Sequence, residues 1–579
     1  MKKRMQRTMA VLLSGVLLCA SAGCGASTES GGVAEGTEQG AVAEENATES
    51  TEDAVTALSL MEEINTKEVL VSEDNYRTWY EMFVYSFYDS DGDGIGDLKG
   101  LTEKLDYIND GDPATDTDLG CDGIWLMPIM PSTTYHKYDV ADYRDIDPEY
   151  GSMEDFEVFV EECHSRGINV IIDLVMNHTS SQHEWFQTAA SYLKELPEGA
   201  EPDATECPYV DYYYFSKEKL GGYCQLPGTD WYYEAQFWSE MPDVNLGNEA
   251  VREEYDQIVD FWLEKGVDGF RLDAAKEYYS GNNTANVEVL TWFNDMVKEK
   301  KSDAYIVAEV WTDMETYGEY YESGIDSCFD FAFAEQSGFI TSVVRGTAIS
   351  GAKTYGNSLI KLQNTLDAHS DCYIDAPFYT NHDMARGAGF YAGDYAQNQI
   401  KISQAMNLLM SGSAFLYYGE EIGMKGSGID ENKRAPMYWT ADESAAGMCN
   451  GPEAMEDIEM IYGSLEEQQG DGNSIYNFVK ETIQVRNSYP AIMRGRVALE
   501  EELSGEDVCV IRKNYDGQEV LLAFNVSEEA QTADLSGISL EGADAELQIG
   551  SVLLTSADAN ATLEDGKLTM PAYSVTIIE

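Results

Sequence analysis

Gly269-Phe270-Arg271-Leu272-Asp273-Ala274-Ala275-Lys276 is a short apolar run that closes on charge. In extended backbone, side chains alternate between faces, so Arg271 and Asp273 share one face while Phe270 and Leu272 take the other. Outward from it lie further short runs: Met82–Phe87, Gly123–Met127, Asn169–Val175, Tyr305–Val310, Phe378–Asn381 and Ala414–Tyr418. Most are continuous rather than alternating, as a parallel sheet covered on both faces requires. Helical patterns such as Glu249–Lys265 and Val287–Lys301 lie between them. Repeated β-then-α units over roughly 400 residues predict an α/β fold, a (β/α)8 TIM barrel built from residues 71–178 and 241–493. Residues 179–240, rich in Tyr, Gly and Pro, are too long for an ordinary connection and predict an irregular subdomain inserted after the third strand. From 494 to 579 short β-rich segments (Val508–Arg512, Val520–Asn525, Ser574–Ile578) predict a C-terminal antiparallel β-sandwich.

Reactive groups of such a barrel stand at the C-terminal ends of its strands. There, Arg271 beside Asp273 would hold a carboxylate ionised and oriented, as a nucleophile must be. Ile306-Val307-Ala308-Glu309 ends the next strand with a lone carboxyl in apolar company, where burial raises the pKa as a general acid requires. Asn381-His382-Asp383 ends a third. Three carboxyls from three strand ends suit glycoside hydrolysis, in which two of them about 5–5.5 Å apart give retention of configuration.

Five motifs, in order, carry a resemblance: Asp173-Leu-Val-Met-Asn-His178, Met241-Pro-Asp-Val-Asn245, Gly269-Phe-Arg-Leu-Asp-Ala-Ala-Lys276, Val307-Ala-Glu-Val-Trp311 and Phe378-Tyr-Thr-Asn-His-Asp383. Over residues 75–579 the chain resembles an α-amylase of glycoside hydrolase family 13. The resemblance implies a double-displacement retaining enzyme with Asp273 as nucleophile, Glu309 as acid/base and Asp383 as a third carboxylate that binds sugar hydroxyls. It also implies that Arg271, His178 and His382 line the same subsite, that Tyr138 stacks on the sugar, and that Lys276 contacts substrate beyond the cleaved bond. Asp139 and Asp173 look like supports of that site. The implied activity is hydrolysis of α-1,4-glucosidic bonds in starch and maltooligosaccharides. The alternatives are an oligo-α-1,6-glucosidase, an exo-acting α-glucosidase or a non-catalytic glycan-binding lipoprotein. Met241 and Ala274-Ala275 favour the amylase.

Asp89-Ser-Asp91-Gly-Asp93-Gly-Ile95-Gly-Asp97 places acids at alternate positions with glycine at the sixth, as calcium loops do. Gly100 stands where an EF-hand has Glu, so the expectation is a structural Ca2+ (or another divalent cation) held by Asp89, Asp91, Asp93, Asp97 and the Ile95 carbonyl. The family's other calcium would use Asn177 and a histidine after Lys276, but Glu277 stands there. Among the aromatics, Trp231, Tyr232 and Trp238 in or beside the insert are candidate sugar platforms, against the plainer reading of packing. His164, His183 and His369 read as structural.

The chain has 579 residues, 36 basic against 105 acidic, for a net charge of −69. That excludes nucleic acid and anionic membrane surfaces as partners; the expected partner is a neutral glycan, met by a monomer. Residues 1–23 read as a signal peptide, cationic then apolar, and Ala20-Ser-Ala-Gly-Cys24 resembles a lipobox, which implies a lipid on Cys24. Residues 24–70, rich in small and acidic residues, predict a disordered tether. The expected location is extracellular, anchored to a bacterial membrane as a lipoprotein or otherwise secreted. Export permits disulfides, with Cys207 and Cys224 a candidate pair.

Overall fold

The computed structural model describes residues 55–442, 444–541 and 546–579. The leader, Cys24 and the tether up to residue 54 lie outside them. Seven strands make a parallel sheet: β1 (Thr78–Met82), β2 (Gly123–Leu126), β3 (Asn169–Leu174), β4 (Gly269–Leu272), β5 (Tyr305–Ala308), β6 (Ser327–Cys328) and β7 (Ala414–Tyr417). Their order is β7-β1-β2-β3-β4-β5-β6. Parallel bridges from Phe329 to Ala376 and from Phe378 to Phe415 close the ring. The stretch 374–378 is thus the remaining stave of a (β/α)8 barrel. Pro377 in it has no N–H to donate, which accounts for bridges in place of a ladder.

Two expected strands are displaced. The first runs over Thr78–Met82 rather than Met82–Phe87, and Val84–Ser86 is a 3-10 turn. Glu81 interrupts the apolar run in the sequence, yet it is buried inside the barrel and paired there. The run Phe378–Asn381 forms no strand; the closing stave lies just before it. Ser327–Cys328 is too short and mixed to show as an apolar run at all.

Helices cover the barrel because their apolar residues recur on one stripe. In Glu249–Glu264 the buried residues are Val251, Tyr255, Ile258, Val259 and Trp262, and Asn248 caps the start by accepting from the Ala250 N–H. Inside the barrel, strand parity does the sorting. Trp79, Trp125, Ile171, Tyr305, Val307, Phe329, Phe378 and Phe415 form a separate apolar cluster, stacked in part, with Trp79 5.1 Å from Tyr305. Gly123 leaves room for it, since a Cβ there would meet the Trp79 ring at 2.4 Å. Two residues further along the same staves come Glu81, Asp173 and Glu309, and on β4 Arg271 stands level with Asp173, with Asp273 two residues beyond it. One inward-facing parity therefore floors the barrel with aromatics and rims it with charge.

The insert comprises the helix Glu184–Glu195 and a small antiparallel sheet of Phe215–Ser216, Tyr232–Glu234 and Tyr223–Gln225. The C-terminal region holds a five-stranded and a three-stranded antiparallel sheet. Val510, Leu521 and Ala523 of the first pack with Ala533, Leu568 and Met570 of the second, so the two form a sandwich. Cys207 and Cys224 carry free thiols, so the candidate disulfide is not formed.

The expected tether is too long at its C-terminal end. Residues 57–64 form a helix capped by Thr56, with Ala57 and Met61 buried. Asn65 then pairs with Val552 as an added strand residue would, accepting from its N–H at 2.8 Å and donating to its carbonyl at 2.9 Å. Its amide also donates to Glu481. Asn65→Ala strips partners from both backbone groups of Val552, and should lower the unfolding free energy by about 2 kcal/mol in a urea titration.

Candidate active site

Arg271, next to last in β4, has its side chain fully buried, and its guanidinium sits 5.1 Å above the Trp125 ring. One terminal nitrogen, Nη1, donates to both oxygens of Asp173 and to Asp273 Oδ1, each at 2.8 Å. The other, Nη2, donates to Glu309 Oε2 at 2.7 Å. The strand parity that placed Arg271 and Asp273 together is observed. Glu309 is not in wholly apolar company as expected, because it shares the arginine. Burial still pushes its pKa up to about 7: Arg271 draws it down, and Asp273 and Asp383 push it back. Ala274 adopts a left-handed φ of 45° straight after Asp273, a strained conformation for a residue with a Cβ. The turn aims the Ala274 N–H at Glu309 Oε2, at 3.0 Å. Asp273 Oδ2 and Glu309 Oε1 take no hydrogen bond from the described residues and are free for a ligand.

Asp383 stands beside His382, whose Nε2 lies 3.2 Å from Asp383 Oδ2. His382 Nδ1 meets Glu81 Oε1 at 2.6 Å inside the barrel. Burial alone would lower His382, but Asp383 and Glu81 raise it to about 9, so the ring is an imidazolium at neutral pH. Asp383 in turn is held well below the usual carboxylate range: burial opposes this, but His382, Arg434 and Arg271 prevail. Tyr138 stacks on the His382 ring at 5.4 Å and donates to Asp173 at 2.9 Å. Asp139 is fully buried and accepts from Ser132, Thr133, Thr134 and Ser180, which fits a support of the loop rather than a reagent. His178 Nε2 lies 3.2 Å from the Tyr138 carbonyl.

These groups face a cavity of about 690 Å³ lined by Tyr138, His178, Asp273, Lys276, Glu309 and Asp383. Arg271 and His382 lie beneath it as buried supports. Three aromatics on its wall stay open to solvent: Phe237 (54%), Trp238 (46%) and Trp311 (43%). Exposed rings in a polar cleft suit stacking on sugar faces. Of the expected platforms only Trp238 is among them; Trp231 is buried in the insert beneath Lys217, and Tyr232 lies in the insert sheet. Phe237, Trp311, Glu81 and Arg434 are new to the site. Trp311 closes a quoted motif and could have been found there; the others sit in stretches that sequence pattern does not mark.

Set beside known proteins, the profile described as "Alpha amylase, catalytic domain" matches residues 81–495. The chain belongs to the α-amylase family of glycoside hydrolases. Alpha-amylase 3 of Dictyoglomus thermophilum is 35% identical over 505 residues, which cover 86% of this chain and 92% of that protein. Among solved structures, Eubacterium rectale Amy13B superposes with a TM-score of 0.85 at 52% identity, covering 91% of this chain and 99% of its own. An α-amylase from H. orenii does so at 0.74 and 35%, covering 87% and 99%.

In this α-amylase-family enzyme the acidic loop follows β1. Carboxylate oxygens of Asp89, Asp91 and Asp97 lie within 4.8 Å of one another, an all-oxygen set that fits a hard cation. Asp93 falls outside that trio: it is exposed, and accepts from the Ile95 N–H at 2.8 Å. Lys276 lies 2.9 Å from Glu277, which occupies the place where a second calcium would need histidine, and Asn177 faces Asp243 at 3.4 Å. The pKa of Glu309 can be read by difference infrared spectroscopy against Glu309→Gln. A carboxyl should titrate near pH 7, and Asp273→Asn should move it down, because that change removes a neighbouring negative charge.

Proposed function

We propose that the enzyme hydrolyses α-1,4-glucosidic bonds in starch and maltooligosaccharides with retention of configuration. The observation that carries this reading is the sharing of one buried guanidinium by Asp273 and Glu309, with burial pushing Glu309 toward its protonated form. Asp273 Oδ1 is fixed by Arg271, so its free oxygen Oδ2 is the one that attacks the anomeric carbon. Glu309 Oε2 is occupied by Arg271 and Ala274, so the acid proton sits on Oε1 and passes to the glycosidic oxygen as the bond breaks. The glycosyl ester on Asp273 is then hydrolysed by water, from which Glu309, now ionised, takes the proton. Asp383 accepts hydroxyl hydrogen bonds from the bound sugar, and Tyr138 closes one side of its ring. Lys276 contacts the sugar beyond the cleaved bond.

Asp89, Asp91 and Asp97 would hold a calcium ion, which when bound supplies positive charge that neutralises the loop after β1. We further propose that the chain is exported and carried at the cell surface through a lipid on Cys24, on the strength of its cationic, apolar and small-residue N-terminal pattern. The three carboxyls at the barrel mouth, Asp273, Glu309 and Asp383, are all present and weigh against a purely glycan-binding role.

A product time course separates the substrate readings. Maltoheptaose should give shorter maltooligosaccharides whose new reducing ends appear first as α-anomers, while isomaltose stays intact. Glucose from isomaltose, with maltoheptaose uncut internally, would overturn the α-1,4 assignment.

A further inference from the structure

We propose that Arg434 is a positioning residue that acts through Asp383, locking that carboxylate in one orientation from a mount the fold holds fixed. The inference rests on the reading of Asp383 as the third carboxylate of the site. Arg434 is 4% exposed, although it lies outside regular secondary structure, just after the short helix Asp430–Lys433. Its Nη2 donates to Asp383 Oδ1 at 2.8 Å and its Nη1 to the Tyr135 hydroxyl at 3.0 Å. The fork of one planar group thus spans two fixed points, which a lysine ammonium could not do.

An irregular segment needs something else to hold its backbone, and here three successive carbonyls are tied to the rims of two neighbouring staves. The Lys433 carbonyl accepts from Arg386 Nε and from the Tyr417 hydroxyl at the end of β7, each at 3.1 Å. The Arg434 carbonyl accepts from Ser86 just past β1 at 2.8 Å, and the Ala435 carbonyl from Tyr418 at 2.6 Å. Arg434 Nε, by contrast, is buried with no partner among the described residues.

Asp383 is therefore gripped from both sides, with Arg434 on Oδ1 and His382 on Oδ2, and its side chain stays 33% exposed toward the cavity. Each oxygen keeps lone pairs for sugar hydroxyls, but the plane of the carboxylate is set before substrate arrives. Tight geometry of this kind matters to turnover more than to binding, because a small misplacement at the reacting centre is felt in the transition state.

The test is a double-mutant cycle on the full-length protein, with steady-state turnover of an aryl α-maltoside as the readout. Arg434→Gln should lower kcat about 100-fold with KM within about threefold of wild type, the size of loss a misplaced group causes. In an Asp383→Asn background the same change should cost less than about threefold, because its target is already gone. Arg434→Lys, which keeps charge without the fork, should recover part of the loss. A kcat for Arg434→Gln within threefold of wild type overturns the proposal, and so does an equal 100-fold loss in the Asp383→Asn background. If Arg434→Gln does not fold, Arg434→Lys takes its place in the cycle: a loss that vanishes in Asp383→Asn supports the proposal, and an additive loss overturns it. No turnover by the wild type would instead overturn the functional reading beneath it.

Discussion

A single guanidinium, fully buried at the top of β4, donates to Asp173, Asp273 and Glu309 at once. Three carboxyls in a barrel mouth floored by Trp79, Trp125 and Phe329 would repel one another and pay heavily for lost hydration. Arg271 makes their company tolerable without making them alike. Asp173 is wholly enclosed and serves as an anchor. Asp273 keeps one oxygen free at the cavity, and burial pushes Glu309 up against the pull of the shared cation. The aromatic floor is therefore part of the chemistry, since the desolvation it imposes distinguishes one acid from another.

Beside that centre lies a second arrangement, joined to it through the Tyr138 hydroxyl, which lies 2.7 Å from His382 Nε2 and donates to Asp173 at 2.9 Å. Glu81 holds His382 as an imidazolium, and His382 with Arg434 fixes Asp383. Both groups grow from the same inward-facing parity, because Glu81 follows Trp79 on β1 as Asp173 follows Ile171 on β3. The site is a continuation of the barrel core by one rung, with charge replacing hydrocarbon where the staves meet solvent.

This explains what could be read from the chain. Arg271 and Asp273 are two apart in one run, so their shared face follows from backbone geometry alone, and the burial of Glu309 follows from its apolar neighbours. The pairing of Glu309 with Arg271 depends on the register of β4 against β5, Arg271 opposite Val307, which pattern does not give. Glu81 was hidden because a buried charge looks like a break in a strand, and β6 because two residues make no run. Arg434 comes from a loop whose place is fixed by side chains of distant staves. Composition said least: a charge of −69 excluded polyanionic partners, but the site uses only a few of the 105 acids. The ordered helix at 57–64 was masked by the polar, acidic stretch that precedes it.

The presentation of Asp273 by Arg271 as the attacking carboxylate is open to direct chemical trapping. The enzyme can be incubated with a 5-fluoro-α-glycosyl fluoride, which forms the glycosyl ester faster than it is hydrolysed, and then digested and mapped by mass spectrometry. One sugar per chain is expected, on the peptide bearing Asp273 and lost in Asp273→Asn. An adduct on Glu309, Asp383 or any other residue would contradict that role for Asp273.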